Sequence, residues 1–230
     1  MEVSTKKVLI SVISTIIEFA LIAFTVVYFI LIKQPHPGDI YFFLGIVLAI
    51  LVLRQVADGL SSRVYRTHRL YNVEIPNLLN QFHDEVGTAL GMDVRVAYFV
   101  YQRRRDCLLI PGRCEIELGK EERKVELKEG EGVAGYVFLY HNELSGLFHD
   151  LEIPSLGDYQ PRLRQQNANL ADKDIRWIYA QKVGFGEQCY GIISLDSVKD
   201  SWQDDESQMD LYGDMVRITR KYSRTITNLY

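Results

Sequence analysis

The sequence predicts an α+β fold: an antiparallel sheet with flanking helices, preceded by two transmembrane helices. Three observations predict it. Residues 8–32, VLISVISTIIEFALIAFTVVYFILI, form a 25-residue run whose single ionisable side chain is Glu18; about 20 apolar residues suffice to cross a bilayer. A second apolar run, IYFFLGIVLAILVL (40–53), follows at once, and residues 55–57 can extend it to the lower limit for a span. Beyond it, the residue pattern reads helix, strands, short helix, irregular loop, strands, long helix.

The elements follow in order. Between the runs, KQPHPGD (33–39) holds Pro35, Pro37 and Gly38 and is a tight reversal. The first run is too long for a signal peptide and ends in Lys33 rather than at a small-residue cleavage site. Lys6 and Lys7 precede the first run, and Arg54, Arg63, Arg66 and Arg69 follow the second. The loop offers only Lys33, so the positive-inside bias puts both termini in the cytosol. The expected organisation is a two-span hairpin (1–57), a helical linker (58–76) and a cytosolic domain (77–230).

Val64, Leu70 and Val73 continue the helix out of the membrane until Pro76 breaks or restarts it. Asn77 is suited to cap a helix through LLNQFHDEVGTAL, which Gly91 ends. DVRVAYFVYQ (93–102) reads as a strand. CEIELGKEERKVELKEG reads as a hairpin turning at Gly119, and GVAGYVFLYHNEL as a short helix after a Gly-rich approach. Residues 142–172 read as irregular and polar. DIRWIYAQKVG and QCYGIISLDSV are two strands around a GFGE turn. Ser201 caps a final helix (202–228) with Asp204 and Asp205 in its first turn, and Leu211, Met215, Ile218 and Tyr222 form its apolar face.

Charge divides between the parts: residues 1–70 carry 7 basic and 4 acidic groups, residues 71–230 carry 19 and 26. An acidic soluble part argues against nucleic acid as a partner, which needs a basic footprint. Arg103, Arg104 and Arg105 read as a solvated strand end. The three cysteines, Cys107, Cys114 and Cys189, cannot all pair, which fits a reducing cytosol. His83-Asp84-Glu85 and His149-Asp150 with Glu152 contain ligand types without a recurrent metal spacing, so no metal and no cofactor is expected. There is no phosphate-binding Gly-rich loop with Lys-Ser/Thr and no Gly-x-Ser-x-Gly elbow.

Two motifs, Glu129-Gly130-Glu131-Gly132-Val133-Ala134-Gly135-Tyr136-Val137 and Gly191-Ile192-Ile193-Ser194-Leu195-Asp196-Ser197, stand in order ahead of an aromatic-plus-acidic helix start, Trp202 to Glu206. Over residues 77–229 the chain thereby resembles the GAF domain family. The resemblance implies a central antiparallel sheet with helices on one face, a ligand pocket on the other, and dimerisation through the first and last helices. A cyclic-nucleotide-binding subset of the family carries Asn-Lys where this chain has Asp196-Ser197, which puts that mode of nucleotide binding in doubt. The loop 158–176 is the expected pocket lid. Arg162, Arg164, Gln166, Asn169, Lys173 and Arg176 are its candidates for a phosphate or carboxylate. Trp177 and Tyr179 are candidates for stacking on a flat ligand, and Tyr136 and Asp196 complete the set. The alternative for Trp177 is a place in the core. A few members of the family are sulfoxide reductases that use pocket cysteines, but nothing marks a lowered thiol pKa here.

In the first run, Ser11, Ser14, Thr15, Glu18 and Thr25 share one helix face. That face either packs on the second span, with Glu18 protonated or bonded to a hydroxyl, or lines an oligomer interface or pore. No kinase, cyclase, phosphodiesterase or DNA-binding segment is recognisable. The expectation is a non-enzymatic sensor in the bacterial inner membrane, oligomeric, with a small cytosolic ligand such as a nucleotide second messenger. Its output is expected to be membrane disruption, a layout similar to anti-phage effectors; the alternative is a tethered module regulating a partner in trans.

Overall fold

The computed structural model describes residues 15–25, 27–28, 37–139, 146–149, 164, 167, 175–199 and 206–230. They divide into two compact units, Met1–Arg69 and Leu70–Tyr230.

The first unit contains α1 (Thr15–Thr25) and α2 (Pro37–Arg69). Pro37 opens α2, where a missing N–H removes no helical hydrogen bond. Large apolar side chains point outward from both helices, Phe19 and Phe24 on α1 and Leu44, Leu48, Leu51 and Leu53 on α2 among them. Among the described residues one helical stretch is long and apolar enough to cross a membrane, with a window of mean hydropathy 1.7 and none of it buried. The first run is described as an apolar helix over Thr15–Thr25, shorter than a span.

In the second unit, Pro76 marks a restart of the helix rather than a break in it. A π-helical turn, Leu70–Glu74, leads into α3 (Ile75–Leu90), with Pro76 in its first turn. The wider turn and the helix start together accommodate a residue without an N–H. Asn77 therefore lies inside α3 rather than capping it, and Glu74 at the cap position makes no side-chain cap bond. Gly91 ends α3 as expected, in the left-handed conformation at φ 61°.

Seven described strands form one antiparallel sheet. They are β1 (Arg95–Gln102), β2 (Cys107–Leu109), β3 (Glu115–Ile116), β4 (Glu126–Leu127), β5 (Gly146–His149), β6 (Trp177–Phe185) and β7 (Gln188–Ser197). Their order is β4-β2-β1-β7-β6-β5, with β3 paired to β1. Two sequence readings change. The segment after Cys114 is no hairpin: β3 pairs with β1 (Val96 opposite Ile116) and β4 with β2 (Leu108 opposite Leu127), separated by a 3₁₀ turn, Glu122–Lys124. Within the stretch read as irregular, β5 pairs with β6, Gly146 opposite Ala180.

Helices α3 and α5 (Glu206–Thr227) cover one face of the sheet, and α4 (Gly132–Leu139) covers the other. On the first face, Ile75, Leu79, Phe82 and Val86 of α3 meet Val96, Tyr98, Trp177, Tyr179, Ile193 and Leu195 of the sheet and Met215, Ile218, Tyr222 and Ile226 of α5. The second core holds Ala97, Phe99, Leu108, Ala180 and Ile192 against Val133, Ala134, Val137 and Phe138. A strand period of two assigns neighbours to opposite cores. Glu85 ties the helices together, accepting from Lys221 Nζ (2.6 Å) and the Tyr222 hydroxyl (2.8 Å); both interactions hold its carboxyl below the ordinary range.

Candidate functional site

The second core is incomplete. Between the sheet and α4 lies a cleft of about 100 Å³. Its apolar wall is Ala97, Phe99, Leu118, Val125, Leu127, Val133, Ala134, Ile175 and Ile178, with Gly132 at the start of α4. Its polar lining is Glu122, Ser194 and Asp196. The register explains this: Ser194 and Asp196 share the face of Ile192, while Ile193 and Leu195 point to the helix-side core.

Arg95 organises the polar end. It faces Asp196 across β1 and β7, and only 6% of it is exposed. Arg95 Nε donates to Asp196 Oδ1 at 2.5 Å and Nη1 donates to Glu122 Oε2 at 3.1 Å. The Gly119 N–H donates to the same Glu122 oxygen at 2.8 Å. One guanidinium thus holds two carboxylates beside the cleft, a geometry its fork suits.

The α4 end is closed by a second network. Glu131, 4% exposed, accepts from the Lys128 N–H (2.9 Å), the Arg164 N–H (2.7 Å), Arg164 Nε (2.8 Å) and Asn167 Nδ2 (2.6 Å). Arg164 Nη2 and Asn167 Nδ2 also donate to the Glu126 carbonyl. Burial alone would raise the Glu131 pKa, but these hydrogen bonds outweigh it and hold it below the ordinary glutamate value. The carboxylate also sits at the positive end of α4. Gly135 is required here, because a Cβ would run into the Lys128 carbonyl.

The expected site residues separate. Asp196 lines the cleft. Arg164 is committed to Glu131 and Glu126. Tyr136 is half-buried on α4, and Arg176 is exposed, its N–H donating to the Ser197 carbonyl at 2.7 Å. Trp177 and Tyr179 correct the stacking expectation: both are fully buried in the helix-side core, away from the cleft, because they occupy odd positions of β6. Arg162, Gln166, Asn169 and Lys173 lie outside the described residues, as do Trp202, Ser201, Asp204 and Asp205. Sequence reasoning missed Arg95, Glu122, Glu131 and Ser194. A charge in the inward register of an apolar strand was the available signal for Arg95, and an acid between Gly130 and Gly132 was that for Glu131.

The thiols are poorly suited to nucleophilic chemistry. Burial pushes Cys107 up, Cys114 up to about 12 and Cys189 up to about 11, and a thiolate is the reactive form. Among the described residues no group of three His, Cys, Asp or Glu side chains is placed to hold a metal. A larger concavity, about 390 Å³, is a shallow groove on the outer side of α5 between Gly213, Val216, Arg217, Arg220, Lys221 and Arg224. Arg217 is paired with Asp214 and Lys221 with Glu85, so this groove is a solvated helix face.

In the first unit, Arg54 Nη1 donates to Glu18 Oε2 at 3.2 Å. Among the described residues Glu18 is thus paired with a cation. The Thr25 hydroxyl bonds back to the Leu21 carbonyl at 2.7 Å, and Thr15 lies exposed on the same helix. Ser11 and Ser14 lie outside the described residues.

No protein-family model matches the chain, and no curated protein matches it. Solved structures do. The chain is similar to the GAF domain of an Acinetobacter phosphoenolpyruvate-protein phosphotransferase, at 14% identity over 74% of this chain and 90% of that one, with a TM-score of 0.46. It is similar to a GAF domain/HD domain protein from Geobacter sulfurreducens, at 8% identity, 70% and 96% coverage and a TM-score of 0.48. It is also similar to the free methionine-R-sulfoxide reductase of Neisseria meningitidis, at 16% identity, 67% and 79% coverage and a TM-score of 0.44.

Proposed function

We propose that the chain is a membrane-anchored sensory module whose second unit is a GAF-type domain with its ligand site in the cleft beneath α4. The observation that carries this reading is the cleft itself. It is concave and mostly apolar, with a few fixed polar groups at one end, the composition of a small-molecule site. It lies between the two motifs that carry the family resemblance, α4 forming one wall and β7 another. The free sulfoxide reductase is an enzyme, but the raised pKa values of all three thiols favour a binding role here.

The membrane part of the reading rests on the many large apolar side chains that α1 and α2 turn outward, since exposed apolar patches mark surfaces that meet a membrane or a partner. The anchor is a two-span hairpin in the bacterial cytoplasmic membrane, with both termini and the sensory unit in the cytosol and the chain assembled as a homo-oligomer. Glu18 precedes Ile32 by 14 residues and Arg54 follows Ile40 by 14. On ideal spanning helices each would lie about 21 Å from the outer loop, about 6 Å from the centre of a core about 30 Å thick, on its cytosolic side.

In its sharpest form, the ligand is a nucleotide messenger and the output is permeabilisation of the membrane in an anti-phage system. Native mass spectrometry of the full chain extracted from its membrane tests the cleft: a bound small molecule is expected, and Ala134→Leu should abolish it. An empty wild-type protein whose behaviour Ala134→Leu leaves unchanged would refute the cleft as the sensory site. Dye leakage from liposomes carrying the full chain tests the output.

The Glu18–Arg54 ion pair favours a second reading of the output, because it satisfies the polar face within the hairpin. The module would then be a tether regulating a partner in trans. This reading predicts no leakage in any oligomeric state and a soluble protein that co-purifies with the chain.

A further inference from the structure

The joint that follows α2 is short of helical donors. The chain enters α3 through the π-helical turn Leu70–Glu74 and Pro76. Pro76 has no N–H for the Asn72 carbonyl in an α register or for the Tyr71 carbonyl in a π register. Groups from elsewhere in the second unit fasten the turn. The Tyr71 carbonyl accepts from the Arg113 N–H at 3.3 Å and from the Cys114 thiol at 3.3 Å. Gly112 permits this approach, because a Cβ there would run into that carbonyl. The Tyr71 hydroxyl lies 2.9 Å from the Tyr230 hydroxyl, which lies 3.1 Å from the Tyr98 hydroxyl of β1. Burial raises the pKa of all three phenols and keeps them protonated, so the Tyr230 hydroxyl can donate to one neighbour while accepting from the other.

We propose that Leu70–Pro76 is a hinge and that Tyr230 is its latch. Prolines and π turns are where helices bend, and this joint combines the two. Closed, the latch ties the turn to β1 and fixes the course of the helix across the joint. Open, it leaves the joint held by residues 113 and 114. Tyr230 is 39% exposed, belongs to neither apolar core and follows the end of α5 by three residues. Its ring is stacked on Tyr190 at 4.7 Å, a surface contact, so it can swing away without opening a core. Tyr98 stands between Ala97 and Phe99, two walls of the cleft, so a displacement of β1 there bears directly on the latch.

Amide hydrogen exchange of the full chain in detergent tests the latch. Tyr230→Phe keeps the stacked ring and removes the hydroxyl. It should speed exchange at residues 70–75 about tenfold, the scale of one or two lost hydrogen bonds, and leave residues 215–223 of α5 unchanged. Pro76→Ala returns the missing N–H and should make the joint indifferent to the latch. In that background Tyr230→Phe should change exchange at 70–75 by less than about twofold. A residue with a merely structural role would accelerate exchange equally in both backgrounds. Unchanged exchange at 70–75 in Tyr230→Phe, acceleration spread evenly over α5 and β1, or equal acceleration with and without Pro76→Ala would each overturn the proposal.

Discussion

At the scale of single residues, Glu131 contributes most to shaping the site. Five hydrogen bonds among Glu131, Arg164, Asn167 and the Glu126 carbonyl join β4, the start of α4 and residues 164 and 167. Glu131→Ala would leave the Lys128 N–H and the Arg164 N–H without their acceptor, at a cost of about 2–3 kcal/mol measured by chemical unfolding. The pH dependence follows from the depressed pKa. A carboxyl with a lowered folded-state pKa stabilises above its unfolded value, and that stability is lost as pH falls through the folded one. Wild type should therefore lose more stability between pH 6 and pH 3.5 than Glu131→Gln, so the gap between the two narrows on acidification. Trp177 makes the opposite case. Its complete burial predicts a loss of about 3–5 kcal/mol in Trp177→Ala, with the ligand affinity of the still-folded fraction unchanged. A tenfold loss of affinity there would place Trp177 at the site after all.

At the scale of elements, side-chain charges redirect local pattern. The segment 114–130 has the alternation and the Gly119 turn of a hairpin, yet its arms join different strands. Arg95 gives the physical reason: it draws Glu122 inward, and the Glu122 carboxylate also accepts from the Gly119 N–H, so a 3₁₀ turn replaces the hairpin arms. Within the first unit the Glu18–Arg54 pair sets α1 against α2 in the same way. If the hairpin spans the membrane as proposed, removing one partner of the pair is worse than removing both. Arg54→Leu should lower the thermal stability of the chain in detergent by about 1–2 kcal/mol, and Glu18→Leu in the same molecule should restore most of it. If the double variant is no better than Arg54→Leu, the pair does not position the helices.

At the scale of the whole molecule, the prediction concerns the membrane. Full chain reconstituted in liposomes should co-float with lipid on a density gradient, and variants with charges at Leu48 and Leu51 should lose that association, as the cost of about 2.5–3.5 kcal/mol per charge within a span requires. Dye release then separates a permeabilising output from a tether. The sequence by itself determined the α+β class, the apolar runs, the strands at β1, β6 and β7, the Gly91 helix end and the motif around α4. Each of these is written in local periodicity and turn chemistry, which act over a few residues. Tertiary structure alone decided that Trp177 and Tyr179 belong to the core, that Arg164 meets Glu131 and that Glu18 meets Arg54. It also decided that Arg95 gathers Glu122 and Asp196 at the cleft. Those outcomes depend on which strand pairs with which, on the register that sends each side chain to one face or the other, and on charges brought together from 27 and 101 residues apart. No local pattern encodes such pairings.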